Sequence, residues 1–183
     1  EPRSIADSAV SGAWVPHDRA TLGVLFYRGV ELLRNDAASR TPANAADAPA
    51  GNASGSATGG DQAARQARTL LKTAAGGYRA TKMLDVVPVA LGLWSEAERR
   101  CGQPERAVEL GTEAVNLLEH GSPSLLNEAP IYLALHDALV DLGRNAEAKN
   151  AIARGLPRLV TRVHGLLGTP HAKDFLKHVS SNA

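Results

Sequence analysis

Two stretches of the chain share one pattern, and this pattern decides the fold. They read "LGRNAEAKNAIARGL", residues 142–156, and "CGQPERAVELGTEAV", residues 101–115. When the two are aligned, Gly102 matches Gly143, which lies 41 residues later. Glycine readily adopts the left-handed conformation that commonly ends a helix. Each stretch therefore predicts one helix that ends at the glycine and a second helix that follows it.

The second helix of each pair carries a small residue near its start. Ala107 matches Ala148, and farther along Val115 matches Leu156. A larger side chain where the two helices cross would hold their axes apart. Because one helical pair cannot bury its apolar faces alone, pairs of this kind stack on one another. The pattern predicts an all-α fold, built as a short solenoid of helical hairpins.

The composition of the 183-residue chain agrees with packed helices. Hydrophobic residues make up 44% of it but aromatic residues only 4%, so Leu, Val and Ala must supply most of the core. The formal net charge of +1 creates no overall field that would require a nucleic-acid or membrane partner. No apolar run approaches the roughly 20 residues needed to cross a bilayer. The single cysteine, Cys101, excludes an internal disulfide and leads us to expect a cytoplasmic protein.

We predict three segments along the chain. Residues 1–35 contain one amphipathic helix. Residues 36–61 have alanine as their only apolar side chain, among Pro, Gly, Ser, Asn and Asp. Such a segment buries too little surface to offset its ordering entropy, so it is predicted to be a flexible loop. Residues 62–183 are predicted to form the helical-repeat domain, which ends in a capping helix, "HAKDFLKHV", at 171–179.

Glycine and proline set the predicted helix boundaries. A helix over residues 62–75 is expected to end at the Gly-Gly pair 76–77, and another short helix is expected over residues 78–87. Pro88 and Pro104 suit the first turn of the helices that follow. The positions expected to face the core recur at helical spacing: Leu22, Phe26, Gly29 and Leu33; Leu91, Trp94, Ala97 and Cys101; Val108, Gly111, Val115 and Leu118; Tyr132, Leu135, Leu139 and Leu142; Ile152, Leu156, Leu159 and Val163.

Over roughly residues 88–160, the two units resemble tetratricopeptide repeats. The spacing of 41 residues is longer than the family's 34. Ser95 and His136 stand where the family usually has a small residue, and Gly111 and Ile152 replace the late aromatic residue of its second helix. The resemblance implies a right-handed solenoid. The positions that carry it are Leu91 and Tyr132, Trp94 and Leu135, Gly102 and Gly143, and Ala107 and Ala148.

A second resemblance lies at the end of the chain. The phrase "DFLKHVSSNA", residues 174–183, resembles the closing segment of repeat regions in large bacterial signalling kinases and ATPases. These proteins carry degenerate tetratricopeptide repeats in their tails. The resemblance implies that the chain is a regulatory or scaffolding tail of a larger signalling protein and not its catalytic part.

The predicted function is protein–protein interaction, with another protein or a peptide as the partner. In tetratricopeptide proteins the first helix of each pair lines a concave face, and this face holds a peptide or a partner helix. The mixed charges on the corresponding face of this chain leave the charge of the ligand open. The resemblance places six residues of this chain on that face: Glu96, Arg99, Arg100, Leu133, Asp137 and Asp141.

The alternative function is that of a nucleic-acid-associated regulator. Arg154, Arg158 and Arg162 recur every four residues and share one helix face, which could meet phosphates or an acidic peptide. A solvated helix face would show the same spacing. No aromatic residues alternate with these arginines, as single-strand stacking would require. We call these three arginines the basic stripe.

No catalytic or cofactor-binding motif stands out in the sequence. A phosphate-binding glycine loop followed by Lys-Ser or Lys-Thr is missing, as are G-x-S-x-G and H-E-x-x-H. His164, His171 and His178 are seven residues apart, but glycine and proline interrupt the segment that joins them. We therefore expect a protein that is not an enzyme and that needs neither a cofactor nor a metal.

Overall fold

The computed structural model of the protein describes residues 18–39, 54–121 and 128–166. Within these residues the chain forms six α-helices and no β-strand, so the predicted all-α fold is confirmed for this part. The helices are α1 (Arg19–Ser39), α2 (Ser54–Ala80), α3 (Val87–Arg100), α4 (Pro104–His120), α5 (Ala129–Asp141) and α6 (Asn145–Leu166).

The helices pack as successive hairpin-like pairs. Helix α1 packs against α2, α3 against α4, and α5 against α6. The second helix of one pair then contacts the first helix of the next, which brings α2 onto α3 and α4 onto α5. Helix α3 also lies directly against α5. The first helices of the last two pairs are therefore neighbours, an arrangement compatible with a helical repeat.

Helices α3 and α5 end as predicted, at glycines in the left-handed region. Gly102 has a φ of +74° and Gly143 a φ of +71°. Beyond Gly102, the N–H of Gln103 donates to the carbonyl of Glu98 at 3.0 Å, the long-range bond of a Schellman cap. The same closure at both glycines explains why the quoted stretches repeat: each one turns the chain from one helix into the next.

Helix α2 closes in the same way, but with a lysine in the strained position. Lys82 has a φ of +57°, and the N–H of Met83 donates to the carbonyl of Tyr78 at 2.9 Å. In this region the Cβ atom of an L-residue crowds the backbone and raises the conformational energy, whereas glycine has no Cβ atom. The cap therefore forms although lysine, and not glycine, occupies the left-handed position.

We expect Lys82→Gly to raise the free energy of unfolding by about 0.5–1 kcal/mol, because it removes this cost. Urea unfolding of both proteins measures the difference. Lys82→Ala is the control, because alanine keeps the Cβ atom and should bring no comparable gain. Equal stabilities of the glycine and alanine variants would contradict the cap geometry.

The structure shortens the predicted loop 36–61 at both ends. Helix α1 continues to Ser39, and helix α2 already begins at Ser54. The last turns of α1 are held by Asp36, which is buried and pairs with Arg100 of α3. A composition argument cannot detect this long-range contact. Residues 40–53 lie outside the described residues.

The predicted helix end at the Gly-Gly pair 76–77 is wrong. Helix α2 runs through both glycines to Ala80, and the expected separate helix over residues 78–87 does not form. Tyr78 is buried in the core, and the hydroxyl of Thr81 donates to the carbonyl of Gly77 at 2.9 Å. Burial of Tyr78 offsets the roughly 1 kcal/mol that a glycine costs inside a helix.

Most of the predicted core positions are buried, but Ile152, Leu156 and Leu159 of α6 are not. Leu156 is 55% exposed, whereas Ala148 and Ala151 on the same helix are buried. Helix α6 packs mainly against α5, so only its small-residue side is covered within the described residues. The predicted capping helix at 171–179 lies outside them. Predicted positions that are buried include Leu22, Phe26, Leu33, Leu91, Trp94, Ala97, Val115, Leu118, Tyr132, Leu135 and Leu139.

Candidate functional site

The structure brings the six predicted face residues onto two neighbouring helices. Three of them lie near the end of α3 and three lie on α5. The two groups meet where Nη1 of Arg99 lies 3.1 Å from Oδ2 of Asp141. These helices are adjacent because α3 packs directly on α5.

Glu96 is the centre of the charges on α3. Its carboxylate accepts hydrogen bonds from Nε and Nη2 of Arg99, at 2.8 and 2.9 Å. It also accepts one from Nε of Arg100, at 2.5 Å. Residues three and four apart lie side by side on a helix, so one turn of α3 provides this geometry. Arg99 and Arg100 are thus already partnered before any ligand arrives.

Arg100 extends these contacts to the first helix. Its Nη1 lies 3.0 Å from Oδ2 of Asp36 and donates to the carbonyl of Leu33 at 2.7 Å. The side chain of Asp36 is fully buried. Sequence reasoning missed Asp36 because it was assigned to the loop. We call Asp36, Arg100, Glu96, Arg99 and Asp141 the charge network; it ties α1, α3 and α5 together.

The two arginines control the charge state of Glu96. Burial by itself would raise the pKa of this carboxyl, but the hydrogen bonds and charges of Arg99 and Arg100 outweigh it and lower the pKa. The carboxylate of Glu96, with a smaller contribution from Asp141, raises the pKa of Arg99. Glu96 and Arg99 are therefore both ionised at neutral pH.

This pKa shift predicts a loss of stability in acid. A carboxyl whose folded pKa is depressed stabilises the fold above its unfolded pKa of about 4.3, and that contribution disappears as the pH falls through the folded pKa. We expect unfolding free energies of the parent to fall more steeply than those of Glu96→Gln below about pH 4.3. Urea unfolding from pH 7 into this range tests it; parallel curves for the two proteins would contradict the role given to Glu96.

Beside the charge network, α5 presents exposed apolar and acidic side chains. Leu133 and Val140 are both substantially exposed. Asp137 lies between them along the helix, and its Oδ1 is 2.7 Å from Nδ1 of His136. Apolar side chains beside carboxylates can anchor a partner and select it by charge.

The basic stripe is largely engaged within the chain. Arg154 makes two hydrogen bonds to the carboxylate of Glu119, at 3.0 and 2.5 Å. Arg158 does the same with Glu128, at 2.6 and 3.1 Å. Arg162 belongs to α6, but its side chain is not among those described. Two of the three arginines thus hold α6 against its neighbours and do not form a free basic surface.

One of these pairs also affects a buried tyrosine. The hydroxyl of Tyr132 donates to Oε1 of Glu119 at 3.3 Å. Burial, together with the negative charge of Glu119, raises the pKa of Tyr132 to about 12. The tyrosine is therefore a neutral hydrogen-bond donor at physiological pH. Its contact with Glu119 positions the same carboxylate that receives Arg154.

A cavity of about 860 Å³ lies where the end of α2, the turn after it and the end of α4 meet. Its lining includes the strained Lys82 and two exposed leucines, Leu84 and Leu117. Arg79 and Glu113 form an ion pair in the same lining. Sequence reasoning did not single out this surface, because its two exposed leucines come from a turn and from a separate helix and show no common period.

Among the described side chains, no group of three His, Cys, Asp or Glu residues is arranged to hold a metal ion. His164 is exposed on α6, whereas His171 and His178 lie outside the described residues. Cys101 is a half-buried cysteine at the end of α3. No described helix is both long and apolar enough to cross a membrane.

Comparison with known proteins gives this chain no relative. No family model, curated protein or solved structure matches it. The function of the chain is therefore inferred from its helix packing and from the side chains described above.

Proposed function

We propose that the chain is a protein–protein interaction or scaffolding module whose binding face is formed by α1, α3 and α5. The charge network carries the proposal. It joins the first helices of three successive hairpins into one surface, through hydrogen bonds of 2.7–3.1 Å between helices. Such a surface is ordered before a partner binds, which reduces the entropy lost on association.

The partner would contact the exposed side chains beside the network. Leu133 and Val140 offer apolar anchors, and Asp137 and Asp141 offer negative charge near them. Interfaces of this kind obtain most of their affinity from a few anchors, while charges set specificity and association rate. A peptide or an amphipathic helix that combines apolar and basic residues fits this face.

The finer features of the proposal rest on the resemblance to tetratricopeptide repeats. We infer a right-handed solenoid with this face on its concave side, and a role as the regulatory tail of a larger cytoplasmic signalling protein. Catalysis, a cofactor and a metal have no part in this proposal. The nucleic-acid alternative is weaker, because Arg154 and Arg158 are paired with carboxylates of the same chain.

The test compares two matched double variants of the full chain. Leu133→Ser with Asp137→Asn removes one exposed leucine and one carboxylate, four residues apart on α5. Leu117→Ser with Glu113→Gln makes the same change on α4, where Leu117 is equally exposed. Each protein is immobilised, exposed to a lysate of the source cells, and analysed by quantitative mass spectrometry.

We expect the α5 variant to lose its specific partner at least about tenfold and the α4 variant to keep it, since about 1.4 kcal/mol lost at an anchor reduces binding tenfold. Circular dichroism must show that both variants are folded. Loss with the α4 variant alone would contradict the proposed face. Recovery of nucleic acid, released steeply by salt and abolished by Arg154→Gln, Arg158→Gln and Arg162→Gln together, would favour the alternative.

A further inference from the structure

Helix α6 leaves one apolar side uncovered. Leu156 is 55% exposed and Val160 is 42% exposed, while Ile152 and Leu159 are only partly buried. The second helices of the first two hairpins, α2 and α4, each pack against the first helix of the next hairpin. Among the described residues, no such helix follows α6. We call Ile152, Leu156, Leu159 and Val160 the α6 patch.

Comparison within the chain indicates that this side is built to be covered. In the 41-residue alignment, Leu156 matches Val115 of α4, and Val115 is fully buried. Ile152 matches Gly111, which lies against α5: a Cβ atom added at Gly111 would be 3.1 Å from Cβ of Leu135. The side of α4 that α5 covers thus corresponds to the α6 patch.

The chain itself continues with a segment suited to this position. Seventeen residues follow Leu166, and Pro170 resembles Pro88 and Pro130, which stand in the first turns of α3 and α5. At the position that matches Leu91 and Tyr132, this segment has a lysine, Lys173, in place of a large apolar or aromatic residue. Two core positions of the first helices recur at the same 41-residue spacing: Trp94, Leu135 and Leu176, and Ala97, Ala138 and Val179.

We propose that residues 170–183 of this chain dock on the α6 patch, with Leu176 and Val179 facing it. The segment takes the place on α6 that α5 takes on α4. Only residues 167–169 separate it from α6, and a short tether gives the attached segment an effective concentration in the millimolar range. A second copy or another protein would have to compete with that concentration. This proposal is independent of the partner-binding face.

Limited trypsin digestion tests the docking, because Lys177 lies inside the segment. Cleavage there releases residues 178–183, "HVSSNA", which mass spectrometry can quantify. A docked segment is cut only when it opens, so the release rate reports the open fraction. The digestion is run on the full chain and on Leu156→Asp, which places a charge in the patch. A synthetic peptide of residues 167–183 gives the rate without protection.

We expect Leu156→Asp to release the peptide at least about tenfold faster than the parent, with Val160→Asp behaving alike. Leu117→Asp is the control, because Leu117 of α4 is about as exposed as Val160, and its release rate should stay within about twofold of the parent. In the parent protein, the protection of Lys177 from trypsin should not change when the protein is diluted. Equal release from the parent and Leu156→Asp would overturn the proposal, and so would protection that disappears on dilution, since a second copy would then cover the patch. Circular dichroism confirms that each variant is folded.

Discussion

Arg100→Met is expected to lower the free energy of unfolding by about 3 kcal/mol, which is typical when one partner of a buried ion pair is removed. The side chain of Asp36 is fully buried, and Arg100 itself is only 15% exposed. Methionine keeps the apolar stem of the arginine but none of its donors. The substitution therefore abolishes the hydrogen bonds that Arg100 donates to the carboxylates of Asp36 and Glu96 and to the carbonyl of Leu33.

Urea unfolding measures this loss, and Arg28→Met is the matched control. Arg28 pairs with Glu31 at 2.9 Å, but both side chains are more than half exposed. Exposed pairs of this kind contribute little, so the control should change stability by less than about 0.5 kcal/mol. If Arg100→Met costs no more than Arg28→Met, the charge network does not hold α1 against α3.

The helix ends that sequence reasoning predicted correctly depend on local chemistry. Gly102 and Gly143 close their helices because glycine occupies the left-handed region without a Cβ penalty. Pro104 begins α4 because its fixed φ suits the first turn. Each of these helix boundaries depends only on residues within about one turn of each other, so the local sequence is enough to predict it.

The features that could not be predicted depend on residues far apart in the chain. Asp36 pairs with Arg100 across 64 residues, so the composition of the segment around it does not reveal that α1 extends to Ser39. Helix α2 passes through Gly76 and Gly77 because Tyr78 is buried in the core. In both cases tertiary contacts override a local preference for a break.

The same limit applies to the candidate site. The resemblance to tetratricopeptide repeats assigns Glu96, Arg99 and Arg100 to one face, and in the structure these three side chains contact one another. It did not reveal that these charges satisfy one another and reach Asp36 and Asp141. A period of 3.6 residues assigns a side chain to a face, but only the packing of the other helices decides whether that face is free. Leu156 shows the converse: it belongs to a predicted core stripe, yet it is exposed.

Gly111→Leu is expected to destabilise the fold by roughly 1–3 kcal/mol through overpacking. A Cβ atom at this position would lie 3.1 Å from Cβ and 3.2 Å from Cα of Leu135, so part of the obstacle is backbone that cannot rotate away. This close approach of α4 and α5 also explains why the chain departs here from the large residue of tetratricopeptide repeats. Gly76→Leu is the control, because a Cβ atom there meets nothing within 4 Å and the helix should gain about 0.5–1 kcal/mol. Urea unfolding should therefore give opposite signs for the same substitution; a gain at both glycines would mean that α4 and α5 do not pack as closely as the structure places them.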